Sequence, residues 1–408
     1  MSAKTLRKRI LNAFTGIIVF LSVCILALGF YVLKKEVFAR TQRQVERSLD
    51  SARIFYQEEI NRIGTSLRVA NQDAPEARLK ELLQLDYFFR VPIGQVSAVR
   101  SNIVRKAANE GEPLGGTRII DKQELDAIND AVRQRCRIEI LDTPKAGPVK
   151  RTVLESAMAK EYALPIRDAQ GNMTEIIYGG RIINRDNVLV DRIRTLVFGD
   201  EIYHDKPIAT VTIFQDDVRI STNVLDANGK RAIGTRLSQE VYEKVIGQGS
   251  RWTDRAFVVT HWYKTAYEPI FNVEGGIIGA LYVGILEAPF NAMLARILLV
   301  FFVVIALVST MALLLAYILS RSISQPLTLM LDGTRKLSSG ELGHLIWPTN
   351  SDIEEMQSLA KAFNDMSVRL EERDVCLQAG TAKLEELNKS YRDLLGFVAH
   401  ELKGLLAS

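Results

Sequence analysis

Two stretches of this 408-residue chain contain no charged residue at all: residues 10–33 and residues 297–320. At about 1.5 Å of rise per residue, a helix of either length crosses the roughly 30 Å hydrocarbon core of a bilayer. Both are apolar on every face and longer than an amphipathic core helix, so they read as membrane spans rather than buried helices. The first is not a cleaved signal peptide. Its apolar core is too long, and Lys34 and Lys35 follow it where a small-residue cleavage site would be needed.

Lys4, Arg7, Lys8 and Arg9 precede the first span and place the N-terminus in the cytoplasm. The loop that starts at Lys34 is too long for the charge rule to govern. Two spans return the chain to the cytoplasm, so residues 34–296 lie outside. The net charge of +4 is small and dispersed and gives no argument for nucleic acid. Cys24 falls in the membrane and Cys136 and Cys376 on opposite sides of it, which leaves no intrachain disulfide framework.

In the external region, Val45, Leu49, Ala52, Tyr56, Ile60, Ile63 and Leu67 recur at helical spacing, a single apolar stripe on a long helix limited by Pro75. An imperfect internal repeat follows. Its first copy reads Asp86-Tyr-Phe-Phe-Arg-Val, a turn at Gly94, Val96-Ser-Ala-Val-Arg, Gly116-Thr-Arg-Ile-Ile, then Glu161-Tyr-Ala-Leu-Pro-Ile and Glu175-Ile-Ile-Tyr-Gly-Gly. The second reads Ala209-Thr-Val-Thr-Ile-Phe, Val218-Arg-Ile-Ser-Thr, Gly234-Thr-Arg-Leu, then Trp262-Tyr through Pro269 and Ile277-Ile-Gly-Ala-Leu-Tyr-Val-Gly-Ile. Each copy predicts strand, turn, strand, short helix, strand, turn, strand: an antiparallel α+β layer.

These residues resemble the Cache family of extracellular sensor domains in its double form, with a distal copy at about 86–186 and a proximal copy at about 207–290. The second copy carries the stronger match, and an enlarged single domain is the alternative. The resemblance implies a pocket for a small organic ligand. Arg255, His261, Trp262, Tyr263, Lys264 and Tyr267 cluster in one strand and its approach. Aromatic walls with a few cations suit a carboxylate or an amino acid. The alternative site is distal, near Tyr87, Arg118 and Arg181. His204 and His261 lack partners at ligand spacing, so no metal site is expected.

Past the second span come Pro326, then Leu327, Met330, Thr334 and Leu337 at helical spacing, a connector with Gly340, Leu342 and Ile346, and a second helix with Glu354, Ala362, Phe363, Asn364 and Met366. This resembles a HAMP domain over 321–370, which implies an all-α four-helix bundle in a homodimer. Glu-Glu-Met-Gln stands where that family usually has Asp-Glu-Ile-Gly. Met356, Phe363, Leu370, Leu377, Leu384, Tyr391 and Val398 are spaced by seven, which predicts a two-stranded coiled coil through a linker at 371–393. Arg373 and Gly380 weaken the companion row, as at a join between two modules or, alternatively, at a hinge in signalling.

Residues 394–408 contain Phe397-Val-Ala-His400-Glu401-Leu-Lys and resemble the start of the dimerisation hairpin of bacterial sensor histidine kinases. The resemblance implies that His400 is a phosphoacceptor and that Glu401 orients or deprotonates its imidazole. Leu405 stands where the family commonly has Pro, and Gly404 where many members have Thr or Asn. ATP and Mg would require a further domain, since these residues include no ATP box; the stretch is expected to be inactive alone.

The chain is therefore expected to be a multi-domain membrane protein of the bacterial inner membrane, two-pass with both termini cytoplasmic. Residues 1–9 and the spans 10–33 and 297–320 flank the sensor at 34–296. The expected role is a two-component receptor that relays a small ligand to His400 and a response regulator. A non-enzymatic receptor that regulates or heterodimerises with a complete kinase is the alternative, and a chemoreceptor or cyclase output is third.

Overall fold

The computed structural model describes residues 3–69, 76–149, 151–204, 206–346 and 354–405, apart from the side chains of 3–7, 76, 77 and 400–405. The chain divides into two compact units, Tyr31–Ile297 and Met1–Phe30 with Leu298–Ser408.

Helix α1 (Ala3–Val69) is continuous, with no break at the end of the first apolar stretch. Its expected stripe is buried along the whole outer part: Val45, Leu49, Ala52, Tyr56, Ile60, Ile63 and Leu67. Burying each large aliphatic of that row is worth about 1.5–3 kcal/mol, which is what holds so long a helix to the unit. Pro75, its expected limit, lies outside the described residues, which follow the helix as far as Val69.

Two antiparallel sheets pack against α1. The distal sheet contains β1 (Tyr87–Pro92), β2 (Leu114–Ile120), β3 (Ala157–Arg167) and β4 (Met173–Ile182), in the order β1-β4-β3-β2. Helix α2 (Asn102–Glu110) precedes β2. Ser101 caps it by accepting from the Val104 amide, and Gly111 ends it in the left-handed region. Helix α3 (Asn187–Phe198), capped by Asp186, leads into the second layer.

The proximal sheet contains β5 (Ala209–Gln215), β6 (Val218–Thr222), β7 (Trp252–Val258), β8 (His261–Phe271) and β9 (Ile277–Leu286), in the order β6-β5-β9-β8-β7. The run β5-β9-β8-β7 repeats the connectivity of β1-β4-β3-β2. One face carries Val211, Ile213, Ala266, Leu281 and Val283 in a core shared with α1 and α3. The other carries Phe214, Tyr263, Tyr267 and Tyr282, packed with Leu237, Val241 and Val245.

The repeat differs from the expected one in two places. Val96-Ser-Ala-Val-Arg is not a strand: residues Ile93–Ala98 form a 3₁₀ turn that buries Val96. Gly116-Thr-Arg and Gly234-Thr-Arg are not equivalent positions either. The first lies in the edge strand β2, the counterpart of β7, whereas the second lies in a loop that bridges to β6 at Val218 and Arg236. Residues 121–156, between β2 and β3, replace the two-residue turn that joins β7 to β8 and explain why the copies align poorly in sequence.

The other unit contains the first part of α1, most of α4 (Ala288–Ser338) and α5 (Glu354–Leu405). Both apolar stretches are largely unburied, with Phe20, Leu28, Leu299 and Val308 among their exposed side chains, as a lipid-facing surface requires. Ser22 and Ser309 hydrogen-bond at 2.9 Å, and a Cβ on Gly29 would lie 3.5 Å from the Phe301 ring; small and hydroxyl residues of this kind join membrane helices.

Gly340, at φ 93°, closes α4. Asn364 then clamps the connector to α5: its Nδ2 donates to the Ile346 carbonyl and its Oδ1 accepts the Ile346 amide, both at 2.8 Å. Ile346 and Phe363 fill the space over Gly333, where an added Cβ would come within 2.8 Å of Ile346.

Beyond that clamp, α5 leaves Leu370, Leu377, Leu384, Leu387, Tyr391, Leu394 and Val398 exposed. An apolar row this long at seven-residue spacing calls for a partner helix. Cysteine at Leu384 is expected to cross-link two copies readily, and cysteine at Lys383 much less; equal yields at both positions would rule out the seam.

Candidate functional site

The proximal sheet's tyrosine-rich face opens into a cavity of about 440 Å³. Arg219 of β6 lines it together with Phe214 of β5, the β7–β8 hairpin forms one wall, and residues 143–145 with 235–240 the other. Arg219 of β6 is the residue that sets its chemistry. It is 4% exposed, and its guanidinium lies 5.2 Å from the centre of the Phe214 ring. Its Nε and Nη1 are buried and make no hydrogen bond among the described residues. Burial pushes its pKa below the usual guanidinium range, and the phenols of Tyr267, Tyr282 and Tyr263, which act against that shift, are neutral at ordinary pH. An arginine still keeps its proton there. The result is an uncompensated cation at the bottom of an aromatic cup.

The rim also carries cations. Lys145 sits 5.4 Å and Arg255 4.0 Å from the centre of the Trp262 ring. Arg236 is held by Asp217 at 2.5 Å and by the Gly147 carbonyl at 2.7 Å. It also borders a second hollow of about 390 Å³ lined by Arg151, Asp216 and Tyr242. Segment 141–147 reaches this wall from the insertion after β2: Leu141 donates to the Gly234 carbonyl, Thr143 Oγ1 accepts the Arg236 amide, and the Lys145 carbonyl accepts the Gln239 amide. Val259, at φ 56°, turns the hairpin that closes the other side, a backbone region that β-branched residues rarely enter.

Of the six residues singled out in the sequence, three line the cavity and three do not. Arg255, Trp262 and Tyr267 line the cavity. Tyr263 lies in the core beneath it, its phenol pushed up to about 12 by burial. Lys264 turns to the other face, 5.7 Å from the Phe38 ring centre and 3.8 Å from Asp254. His261 is at the hairpin end, its Nδ1 2.6 Å from Thr260 Oγ1, and partial burial and then Lys206 hold its imidazole below the usual range.

Two of the distal trio, Tyr87 and Arg118, are engaged by their own fold. Glu161, fully buried, accepts from Tyr87 Oη and Arg118 Nε at 2.8 Å each, and from Ser101 Oγ. Arg118 also pairs with Glu124. These carboxylates hold its guanidinium above the ordinary range against the opposing effect of burial, and burial with the Glu161 charge pushes the Tyr87 phenol well up. Arg181 does not join them; its Nη2 donates to the Leu83 carbonyl at 3.1 Å. His400 and Glu401 lie on α5, and their side chains fall outside the described residues.

Sequence reasoning missed Arg219, Arg236 and Lys145. The available signal was Arg219 itself, a charge in the middle of a short β-branched strand whose every residue is buried.

Residues 180–297, which span α3 and the whole proximal sheet, match the family described as Single cache domain 3, and residues 318–372 match the HAMP domain. This is a transmembrane signal receptor of the histidine-kinase and chemoreceptor type. In this receptor the family match takes in the end of β4 and the proximal copy; most of the distal sheet precedes it. Over 104 residues the receptor is 29% identical to the signal transduction histidine-protein kinase BaeS of Escherichia coli, which is 26% of this chain and 19% of that one. The chain thus spans about a fifth of that relative. The periplasmic domain of Vibrio cholerae LuxQ is similar at 13% identity and TM-score 0.24, covering 61% of this chain and 97% of that one. The ligand-binding domain of the Pseudomonas aeruginosa amino acid chemoreceptor PctB, solved with L-Arg, is similar at 10% identity and TM-score 0.30, covering 64% and 92%.

Proposed function

We propose that this receptor senses a small organic anion, a carboxylate or amino acid, in the proximal cavity and relays occupancy through the HAMP domain to His400. The observation that carries the reading is Arg219: a buried guanidinium without hydrogen bonds at Nε and Nη1, facing a cavity with Lys145 and Arg255 at its rim. Removing an ion from water costs several kcal/mol, and a ligand carboxylate returns charge-assisted hydrogen bonds that the fold withholds. Tyr267 and Trp262 supply apolar contact for the rest of the molecule.

On the cytoplasmic side the reading makes the receptor an inner-membrane homodimer with both termini inside. His400 accepts phosphate from an ATP-binding kinase domain, Glu401 orients its imidazole, and a response regulator takes the phosphate on. Exposure of the α5 row supports the dimer, and the HAMP match supports a relay of this kind.

Calorimetric titration of the full chain in detergent with acetate, succinate, glycine and L-glutamate tests the sensing step. At least one should saturate with about one bound per chain. Saturation by none would remove the anion reading and favour a protein partner as the signal.

A further inference from the structure

Resting on that reading, we propose that the Arg255–Glu287 ion pair is a latch between the cavity and the root of the second membrane-spanning helix, opened when a bound anion competes for the Arg255 guanidinium. Glu287 is the residue immediately before α4 and is 3% exposed. Its Oε2 accepts from Arg255 Nε at 2.8 Å, while its Oε1 is buried and makes no hydrogen bond. Its backbone ties the same two elements together: the Glu287 amide donates to the Trp262 carbonyl, and the Glu287 carbonyl accepts the Asn291 amide in the first turn of α4. Arg255 has the opposite character. Its side chain is 47% exposed, lies over Trp262 and lines the cavity.

One guanidinium therefore stands between a buried carboxylate that has no other cation among the described residues and a cavity whose floor already attracts anions. A carboxylate entering above Arg219 draws on Arg255 as well. Each share it takes leaves Glu287 less compensated in a place where water does not reach, and the relief available is displacement of the α4 root from the hairpin. Coupling of this kind is reciprocal: what the anion does to the pair, the pair does to the anion. Removing the charge of Glu287 should then free Arg255 and tighten anion binding.

The test uses the full chain in lipid nanodiscs with succinate as the probe. Glu287→Gln should bind succinate more tightly by about fivefold or more, the lower end of ordinary coupling between two sites. Without succinate, Glu287→Gln and Arg255→Ala should each raise hydrogen exchange in the first turn of α4, and the wild type should reach that level only with succinate present. Unchanged succinate affinity in Glu287→Gln, where the wild type binds, overturns the competition and leaves the cavity standing as the sensor. Unchanged exchange in both variants overturns the latch whether or not succinate binds. Failure of succinate to bind the wild type overturns succinate as ligand and, with it, the anion-driven opening, while the exchange measurement still decides whether the pair holds the helix root.

Discussion

Arg219→Met should make the ligand-free receptor more stable while costing it its ligand. The two halves have one cause. Arg219 is buried without a carboxylate partner among the described residues, and Met at that position would fill the same space against Phe214 with no charge to desolvate. Replacing buried ionic groups with apolar residues of similar volume stabilises other proteins by about 1–4 kcal/mol, and a gain within that range is expected here. Loss of a charge-assisted hydrogen bond to the ligand costs about 1.5–3 kcal/mol, roughly 10- to 150-fold in affinity. Thermal unfolding without ligand and calorimetry with the bound acid check each half. A purely structural arginine would give the reverse signature, a destabilised variant with no specific binding defect.

Glu161→Ala should be among the most destabilising single changes in the outer unit. Glu161 is the common acceptor of Tyr87, Ser101 and Arg118, which join β1, the start of α2 and β2 to β3. Breaking one partner out of a buried pair costs about 3–5 kcal/mol, because the other charge stays buried. Arg118 keeps Glu124, which sets the effect toward the lower end. Glu161→Leu combined with Arg118→Met should cost less than the two single losses added together, since neither charge is then left alone. Denaturant unfolding of the four proteins measures this. Additive losses would mean that the network is not a unit, and a mild Glu161→Ala would return the distal residues to candidacy as a ligand site.

Several parts of this molecule could be read from the chain because a single physical period governs them. The α1 stripe from Val45 to Leu67 follows the helical repeat and is buried throughout. The strands β1, β5, β6, β8 and β9 follow aromatic and β-branched runs between turns. Val96 was misread because an apolar residue after a turn looks the same whether it enters a strand or a 3₁₀ turn. The site was legible only in part. Arg255, Trp262 and Tyr267 line the cavity, yet Tyr263 and Lys264, adjacent in sequence, face the core and Phe38. Alternation sends Tyr263 and Lys264 to opposite faces, but it does not pick out the lining, since Trp262 shares the parity of Lys264 and Tyr267 that of Tyr263. The position of the cavity against the strand decides it, and that is not written along the chain. Lys145 could not have been placed at all, because it arrives from the insertion after β2 and meets Trp262 only in three dimensions.

The central claim is that an anion held outside the membrane changes the state of helix α5 inside it. The direct measurement is the cross-linking yield of Leu384→Cys in membranes, with and without the small acid that saturates the cavity, in the wild-type background and with Arg219→Met. The account predicts a yield that shifts on adding the acid to the first and does not shift in the second. An equal shift in both backgrounds, or no shift where calorimetry shows the cavity filled, would contradict it.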